Sequence, residues 1–171
     1  MQPRLTSLSE CPCARTVDTV GEWWSILILR DALGGLTRFD EFQTSLGIAP
    51  NMLARRLKHL TASGLFERRL YRDRPKRYEY LLTVKGRDFF PVIAAMLAWG
   101  NRYLAPEGVS LLLAGRDSGR PLAPILVDAA SAMPITSDNV VLIPGPRASE
   151  QMRQRIAAQR DLRLLSPSHI E

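Results

Sequence analysis

The cationic side chains of this sequence are concentrated in residues 51–77. That stretch holds nine Lys or Arg against two acidic residues, a net charge of +7, whereas the whole chain of 171 residues carries +6. The nine are Arg55, Arg56, Lys58, Arg68, Arg69, Arg72, Arg74, Lys76 and Arg77. A surface that binds a polyanion concentrates cations where the polymer lies, whereas a surface charged for solubility intersperses both signs. The charge distribution therefore predicts a nucleic-acid partner.

Residues that could support other chemistry are few. The chain has two histidines, His59 and His169, and two cysteines, Cys11 and Cys13, separated by one residue. A closed zinc site needs four ligands, and two neighbouring cysteines make no disulfide framework. The sequence also lacks a nucleophile–base arrangement and a phosphate-binding loop. We therefore predict no catalytic residue, no metal and no cofactor.

The composition is that of an ordinary globular protein, with 46% hydrophobic and 23% charged residues. Its length suits one domain with a small appendage. The longest apolar run, residues 23–29, is interrupted by Ser25 and is too short to cross a bilayer. The N-terminus lacks the features of a secretory signal. These observations predict a cytoplasmic protein.

Apolar periodicity predicts the helices that precede the basic stretch. Residues 1–14 are expected to form an arm, and residues 17–33 a helix that is apolar nearly all round. Thr37 is a plausible N-cap for a short second helix, and Asp40 and Glu41 in its first turn would favour the positive end of the helix dipole.

The third predicted helix starts at Pro50, which suits a first turn, and ends near Gly64. Leu53, Leu57 and Leu60 share one face of it. The opposite face carries Asn51, Arg55 and Lys58. Asn and Arg can make bidentate contacts with adenine and guanine edges in the major groove. One side of this helix should therefore pack while the other contacts DNA.

Residues 65–71 and 78–82 read as two strands of a β-hairpin whose tip, residues 72–77, is basic. Helix, turn, helix and hairpin occur in the order of a winged helix, and the tip cations would neutralise phosphates or enter the minor groove. The alternative is a surface helix and a basic hairpin in a protein-interaction module that binds an acidic partner without sequence preference.

After the hairpin, Thr83 can cap a helix that reaches Tyr103 and that Pro91 should kink. Its apolar residues exceed what a small domain would bury, so we expect them to meet a partner. The expected contacts are Phe89, Ile93, Met96, Leu97, Trp99 and Tyr103. A ligand pocket lined by Trp23, Trp24, Phe89, Phe90 and Trp99 is the alternative, and core and dimer packing is favoured over it.

The segment 106–171 differs in its sequence pattern from the preceding residues, because prolines and glycines separate short apolar runs. Residues 109–113, 125–127 and 140–143 are strand candidates, and residues 149–163 a polar helix. We therefore expect two domains, residues 1–105 and 106–171, the second a small β-rich appendage without an internal repeat. The predicted fold class is α+β, mainly α.

A further set of residues matches the sequence pattern of a known protein family. The matching residues before the basic helix are Cys11-Pro12, Gly21-Glu22-Trp23-Trp24, Ile26-Leu27-Ile28-Leu29-Arg30-Asp31 and Arg38-Phe39-Asp40-Glu41-Phe42. From that helix onward they are Gly47-Ile48-Ala49-Pro50-Asn51-Met52-Leu53, Arg56-Leu57, Leu60, Gly64-Leu65, Tyr78-Glu79-Tyr80-Leu81-Leu82-Thr83, Gly86, Pro91-Val92 and Trp99-Gly100. In these residues the sequence resembles the HxlR-type winged helix-turn-helix transcription regulators, relatives of the MarR group. The similarity covers about residues 11–104 in register.

This resemblance implies a homodimeric, sequence-specific DNA-binding regulator of bacterial type, with residues 50–63 as recognition helix and the terminal helices as dimer interface. An inverted-repeat operator and repression are expected. The expected DNA-binding residues are Asn51, Met52, Arg55, Arg56, Lys58, Arg72, Arg74, Lys76 and Arg77. Asn51, Arg55 and Arg56 would contact bases, and the residues from Lys58 onward would contact phosphates or the minor groove. Ala49 departs from the Ser of many relatives.

Two further expectations rest on the resemblance. Cys11 matches the cysteine that some members use as a redox or electrophile sensor, but a partly buried thiol packed at the dimer edge is favoured over that role. Regulation would act through a small-molecule effector in the dimer region or through modification of Cys11. The appendage resembles a small cysteine ribbon of longer members, with Ser118-Gly119, Asp128-Ala129-Ala130-Ser131 and Pro144-Gly145-Pro146 at the places of its motifs. Without the cysteines, no metal is expected.

Overall fold

The computed structural model describes residues 10–165, with side chains described up to residue 161. The elements are α1 (Pro12–Val20), α2 (Trp23–Leu33), α3 (Phe39–Leu46), α4 (Pro50–Ala62), β1 (Phe66–Arg72), β2 (Arg77–Leu82), α5 (Val84–Arg87), α6 (Phe90–Tyr103) and α7 (Glu150–Leu165). The chain divides into two compact units, one ending at Pro124 and the other starting at Ile125. All elements except α7 belong to the first unit.

The single helix predicted over residues 17–33 is wrong, because the chain forms two helices there. Gly21 donates its N–H to Val17 O at 2.7 Å, and a Cβ at this glycine would collide with that same carbonyl oxygen. Glu22 then adopts an extended backbone and caps α2. The predicted N-terminal arm is wrong for residues 12–14, which start α1 with Pro12 in its first turn; residues 1–9 lie outside the described part.

The core of the first unit forms where α2, α3 and α4 meet the start of the hairpin. Its fully buried side chains include Ile28 and Leu29 of α2, Phe42 of α3 and Phe66 of β1. The predicted leucine face of α4 is confirmed, since Leu53, Leu57 and Leu60 are completely buried. Full burial of each leucine stabilises the fold by about 1.5–3 kcal/mol, which fixes the rotation of α4 about its axis.

Asp31 of α2 links two helices through its buried carboxylate. Its Oδ2 accepts the hydroxyl of Ser45 in α3 at 2.7 Å, and its Oδ1 accepts Nε and Nη2 of Arg30 at 2.9 and 2.7 Å. A buried carboxylate is tolerated only when its lone pairs have partners. These contacts therefore fix the crossing of α2 with α3.

The N-terminus of α3 differs from the prediction, because Arg38 and not Thr37 occupies the cap position. Glu41, in the first turn as predicted, accepts the backbone N–H groups of Thr37 and Arg38 at 2.9 and 2.8 Å. These bonds lower the pKa of Glu41. The Glu41 carboxylate thus satisfies the N–H of the cap residue itself, which is the contribution of the third helical residue in a capping box.

The β-hairpin is confirmed, with strand bounds within one or two residues of the prediction. β1 and β2 are antiparallel, with Phe66 opposite Leu82 and Leu70 opposite Tyr78, and an irregularity follows Leu70. Residues before α3 extend the sheet, because Tyr80 donates its N–H to Thr37 O at 2.7 Å and Arg38 bridges Glu79. This additional pairing holds the hairpin against α3.

Thr83 caps the next helix as predicted, with its Oγ1 accepting Gly86 N at 3.1 Å, but that helix is only the short α5. The predicted kink at Pro91 is wrong, since a new helix, α6, begins at Phe90 and Pro91 lies in its first turn. There the missing N–H of proline has no helical partner to lose. The break allows α6 to take its own direction and contact α2.

The predicted β-rich appendage is also wrong. None of the predicted segments, residues 109–113, 125–127 and 140–143, forms a strand. The only β pairing among the described residues after 105 is in the isolated bridges Ala114–Pro121 and Val127–Pro134. Prolines at both bridges remove N–H donors that a longer ladder would need. The final helix is confirmed as α7, which starts and ends within two residues of the prediction.

A hydrogen-bonded turn occupies residues 113–122. Leu122 N–H donates to Leu113 O at 2.8 Å, Gly115 N–H to Arg120 O at 2.9 Å, and Gly119 N–H to Gly115 O at 2.8 Å. Gly119 has a φ of 61°. A left-handed residue at this point lets the backbone reverse within a few residues.

The same turn recurs thirteen residues later, in residues 126–135 of the second unit. Ile135 N–H donates to Leu126 O, Asp128 N–H to Met133 O and Ala132 N–H to Asp128 O, at 2.8, 2.9 and 2.8 Å. The expectation of no internal repeat is therefore wrong at the level of backbone structure. The Oγ of Ser118 and of Ser131 lies 3.3 Å from the N–H two residues on.

Two helical glycines give opposite stability predictions. A Cβ at Gly86 would collide with Leu65 O and lie 2.9 Å from Leu82 Cδ2, whereas a Cβ at Gly100 would meet nothing within 4 Å. We expect Gly86→Ala to destabilise the protein by about 1–3 kcal/mol through overpacking, and Gly100→Ala to stabilise it by about 0.5–1 kcal/mol through helix propensity. Urea unfolding at neutral pH measures both, and equal effects would refute the packing of α5 against residue 65.

Candidate nucleic-acid interface

Helix α4, which carries the exposed cationic face, begins without a side-chain cap. Ala49 has an extended backbone and accepts Leu53 N–H at 3.0 Å through its carbonyl oxygen alone. Asn51 Oδ1 accepts the N–H of Met52 at 2.7 Å, so a group at the second helical position satisfies a donor that Ala49 leaves open. The first turn of α4 is therefore held by Pro50 and Asn51.

The three residues predicted to face away from the leucines do so. Asn51, Arg55 and Lys58 are exposed, while Met52 is half-buried. The Arg55 guanidinium is held over the helix by a contact of Nη2 with Met52 Sδ at 3.1 Å. An α-helix fits the B-DNA major groove, and the exposed face of α4 carries one amide and two cationic side chains, which are suited to such a site.

Arg56 lies apart from this face. Its side chain is only 12% exposed, and its Nη1 lies 3.4 Å from Glu22 Oε1, while its Nε is buried without a hydrogen-bond partner. On the following turn, His59 Nε2 lies 2.9 Å from Thr19 O. Both α4 side chains therefore contact the junction between α1 and α2, which sequence periodicity could not show.

The hairpin carries two kinds of arginine. Along the strands, Arg68 lies over the Tyr78 ring at 3.4 Å, and Arg69 Nε pairs with Glu79 Oε1 at 2.7 Å. At the tip, the predicted cations are exposed, and Arg72 Nε donates to Arg74 O at 3.1 Å. The exposed tip residues are Arg72, Arg74, Lys76 and Arg77.

Arg38 is a further cation at this sheet that the sequence interpretation missed. Its guanidinium carbon lies 4.9 Å from the centre of the Tyr71 ring, and its backbone bridges the edge of β2. No local signal marks it, because Arg38 precedes α3 by one residue and reaches the hairpin only through folding. Cation–π stacking holds a guanidinium while its N–H donors remain able to bind a phosphate.

An apolar stripe runs along the outside of α6. Val92, Met96, Trp99 and Tyr103 are exposed and follow helical spacing, and the rings of Trp99 and Tyr103 lie 5.6 Å apart. Trp99 is 57% exposed. Of the other residues predicted for an interface, Ile93 and Leu97 are half-buried and Phe89 packs against the core.

Cys11 is the N-cap of α1 and is partly exposed, and Cys13 in the first turn is exposed. Neither cysteine forms a disulfide. Among the described residues, no group of three or more His, Cys, Asp or Glu side chains is placed to hold a metal ion. The same part of the chain contains no helix long and apolar enough to span a bilayer.

Comparison with known proteins matches residues 19–108 to the model of the HxlR-like helix-turn-helix family. An uncharacterized HTH-type transcriptional regulator of Mycobacterium tuberculosis strain H37Rv is 41% identical over 133 residues, which span 77% of this chain and 84% of the relative. Relatives of this kind are transcriptional regulators, which are not enzymes. This agrees with the prediction that the protein has no catalytic residue.

Two solved structures resemble the fold. A Pseudomonas aeruginosa protein described as a candidate transcription factor is 53% identical, covers 85% of this chain and 99% of its own, and has a TM-score of 0.63. The redox regulator HypR in its reduced form is 32% identical, covers 56% of this chain and 98% of its own, and has a TM-score of 0.51. The mainly helical winged-helix fold, the extent of the family match and these relatives together show that the chain belongs to the HxlR-like helix-turn-helix family and is a transcriptional regulator.

Proposed function

We propose that this protein is a homodimeric regulator that binds an inverted-repeat operator and represses transcription. The observation that carries the proposal is the division of α4 into a fully buried leucine face and an exposed face with Asn51, Arg55 and Lys58. A helix fixed in this way can place side chains at base edges in the major groove. Repression is favoured over activation because occluding a promoter needs no second contact surface.

We assign Asn51 and Arg55 to bases. Arg55 suits guanine, and the Asn51 amide nitrogen keeps donors for a base while its oxygen holds the helix start. Lys58 and the four tip cations of the hairpin are assigned to phosphates or the minor groove, together with Arg38. Met52 supports Arg55. Arg56 is reassigned from base contact to positioning α4, because it pairs with Glu22.

The apolar stripe of α6 is proposed as the dimer surface. Val92, Met96, Trp99 and Tyr103 would pack against the same residues of a second copy about a two-fold axis, and Ile93 and Leu97 would support them from behind. Phe89 is left out, since it packs within one chain. A two-fold dimer predicts half-site centres about 10–10.5 base pairs apart, or a multiple of that distance.

Cys11 stays a candidate redox sensor. Its place at the start of α1 supports this role, because α1 reaches the recognition helix through the Thr19–His59 contact. HypR, which has a similar fold, is named a redox regulator. Modification at the start of α1 could therefore shift α4.

The base and phosphate assignments are tested by binding the protein to DNA from upstream of its own gene and to scrambled DNA over a salt series. We expect Arg55→Ala to weaken binding to the preferred fragment by about 1–3 kcal/mol and to reduce its preference over scrambled DNA. Lys76→Ala should weaken both DNAs alike and lower the salt slope by about one. Equal loss on both DNAs from both variants would refute the assignment, and wild-type binding without preference would refute sequence-specific function.

The positioning role of Arg56 is tested against Lys58, its exposed neighbour on α4. Arg56→Ala should leave Glu22 without its partner, lower thermal stability and weaken DNA binding without changing the salt slope. Lys58→Ala should lower the salt slope and leave stability within about 0.5 kcal/mol. A reduced salt slope for Arg56→Ala at unchanged stability would return Arg56 to the DNA-contacting residues.

The dimer surface is tested by Trp99→Asp, measured by sedimentation equilibrium. A charge at the centre of an apolar interface should increase the dissociation constant at least a hundredfold and weaken binding to a two-half-site operator far more than to a single half-site. Ser149→Asp, an exposed change on the second unit, is the control. An unchanged dimer in Trp99→Asp would place the interface elsewhere.

A further inference from the structure

A cavity of about 340 Å³ lies between α2 and α6 in the first unit. Its walls are aliphatic and aromatic apart from one cationic side chain, Arg30, and the backbone at Gly34. The apolar lining comes from α2, including Leu27, from α6, and from Leu111, Leu112 and Leu113 after α6. The volume lies at the lower end of the range for small-molecule sites, which are also mostly apolar with a few polar groups.

We propose that this cavity binds a small molecule with an apolar body and one anionic group, such as a carboxylate, that pairs with Arg30. The Arg30 side chain is 42% exposed, and its Nε and Nη2 donate to Oδ1 of Asp31, whose side chain is 8% exposed. The guanidinium is therefore oriented but retains Nη1 for a ligand. An anionic group can bind there, whereas the aliphatic walls offer it no other partner.

The third wall of the cavity lies beyond the part of the chain that matches the family model. Leu111, Leu112 and Leu113 follow the end of the family match at residue 108. The Asn101 amide, on α6, donates to Leu111 O at 2.8 Å and holds this segment beside α6. The structural match with HypR covers 98% of HypR but only 56% of this chain, so much of this chain has no counterpart in HypR.

The position of the cavity connects a ligand to the DNA-binding surface. α2 packs against α3 and α4 on the core side and contacts α6 on the cavity side. A molecule held between α2 and α6 would change their separation and hence, in the dimer, the distance between the two recognition helices. This effect on DNA binding rests on the proposed function, whereas the binding site itself does not.

The site is tested by calorimetric titration of the full chain with octanoate and with octan-1-ol, its neutral match. We expect one octanoate per chain and at least fivefold weaker binding of octanol. Arg30→Gln should remove this difference, while Arg30→Lys should retain a preference for octanoate. Leu27→Trp should fill the cavity and weaken octanoate binding at least tenfold, and Val84→Trp, an exposed change outside the cavity, should not.

Asn101→Ala provides a second variant that leaves the core intact. Loss of the bond to Leu111 should release one wall and weaken octanoate binding several-fold with unchanged circular dichroism. Absence of saturable binding at millimolar octanoate would overturn the proposal. Octanoate binding that survives Leu27→Trp would also overturn it, as would an affinity that falls as protein concentration rises, because a second copy would then cover the cavity.

Effects on DNA binding separate the two proposals. Octanoate at saturation should change operator affinity at least threefold in the wild type and leave it unchanged in Leu27→Trp. If the ligand-free protein binds no DNA selectively while octanoate binds as expected, the regulator proposal fails and the ligand site stands. Selective DNA binding without any octanoate binding would overturn the ligand site alone.

Discussion

The packing of the leucine face of α4 against α2, α3 and β1 is the constraint on which the rest of the structure depends. Leu53, Leu57 and Leu60 are completely buried, so α4 cannot rotate without exposing at least one leucine. The opposite face then presents Asn51, Arg55 and Lys58 in one fixed orientation. The base recognition proposed for α4 would therefore follow from hydrophobic burial on its other side, since a direct contact requires side chains placed to within a fraction of an ångström.

Sequence periodicity predicted this part of the molecule because the relevant interactions are local. The spacing of three leucines defines a helical face, and alternating residues around a turn define a hairpin, so α4 and both strands were found within one or two residues. The same reasoning could not separate α1 from α2. Only the break at Gly21 and Glu22 divides them, and an apolar pattern continues across that break.

Interactions between distant residues account for what the sequence did not reveal. In the sequence, Arg56 looks like one more cation on a basic helix, but in the fold it pairs with Glu22 at the start of α2. Arg38 reaches the hairpin only after folding, through its bridge to Glu79 and its stacking on Tyr71. In the segment after residue 105, apolar runs suggested three strands, but its described residues form only two isolated bridges, each with a proline as one partner. The two turns around these bridges depend on backbone hydrogen bonds, which apolar periodicity does not reveal.

Because of the contacts of Arg56 and His59, α4 has a second role beside the proposed binding of DNA, which is to hold the junction between α1 and α2. Its exposed face would contact DNA, while its third side, between that face and the leucines, touches Glu22 and Thr19 O. An ion pair that is mostly buried contributes little net stability when intact but costs several kcal/mol when one partner is removed. A movement of the α1–α2 junction that separates Arg56 from Glu22 and His59 from Thr19 would therefore be unfavourable unless α4 followed. These contacts would couple that junction to the exposed face of α4 through geometry already present in one subunit.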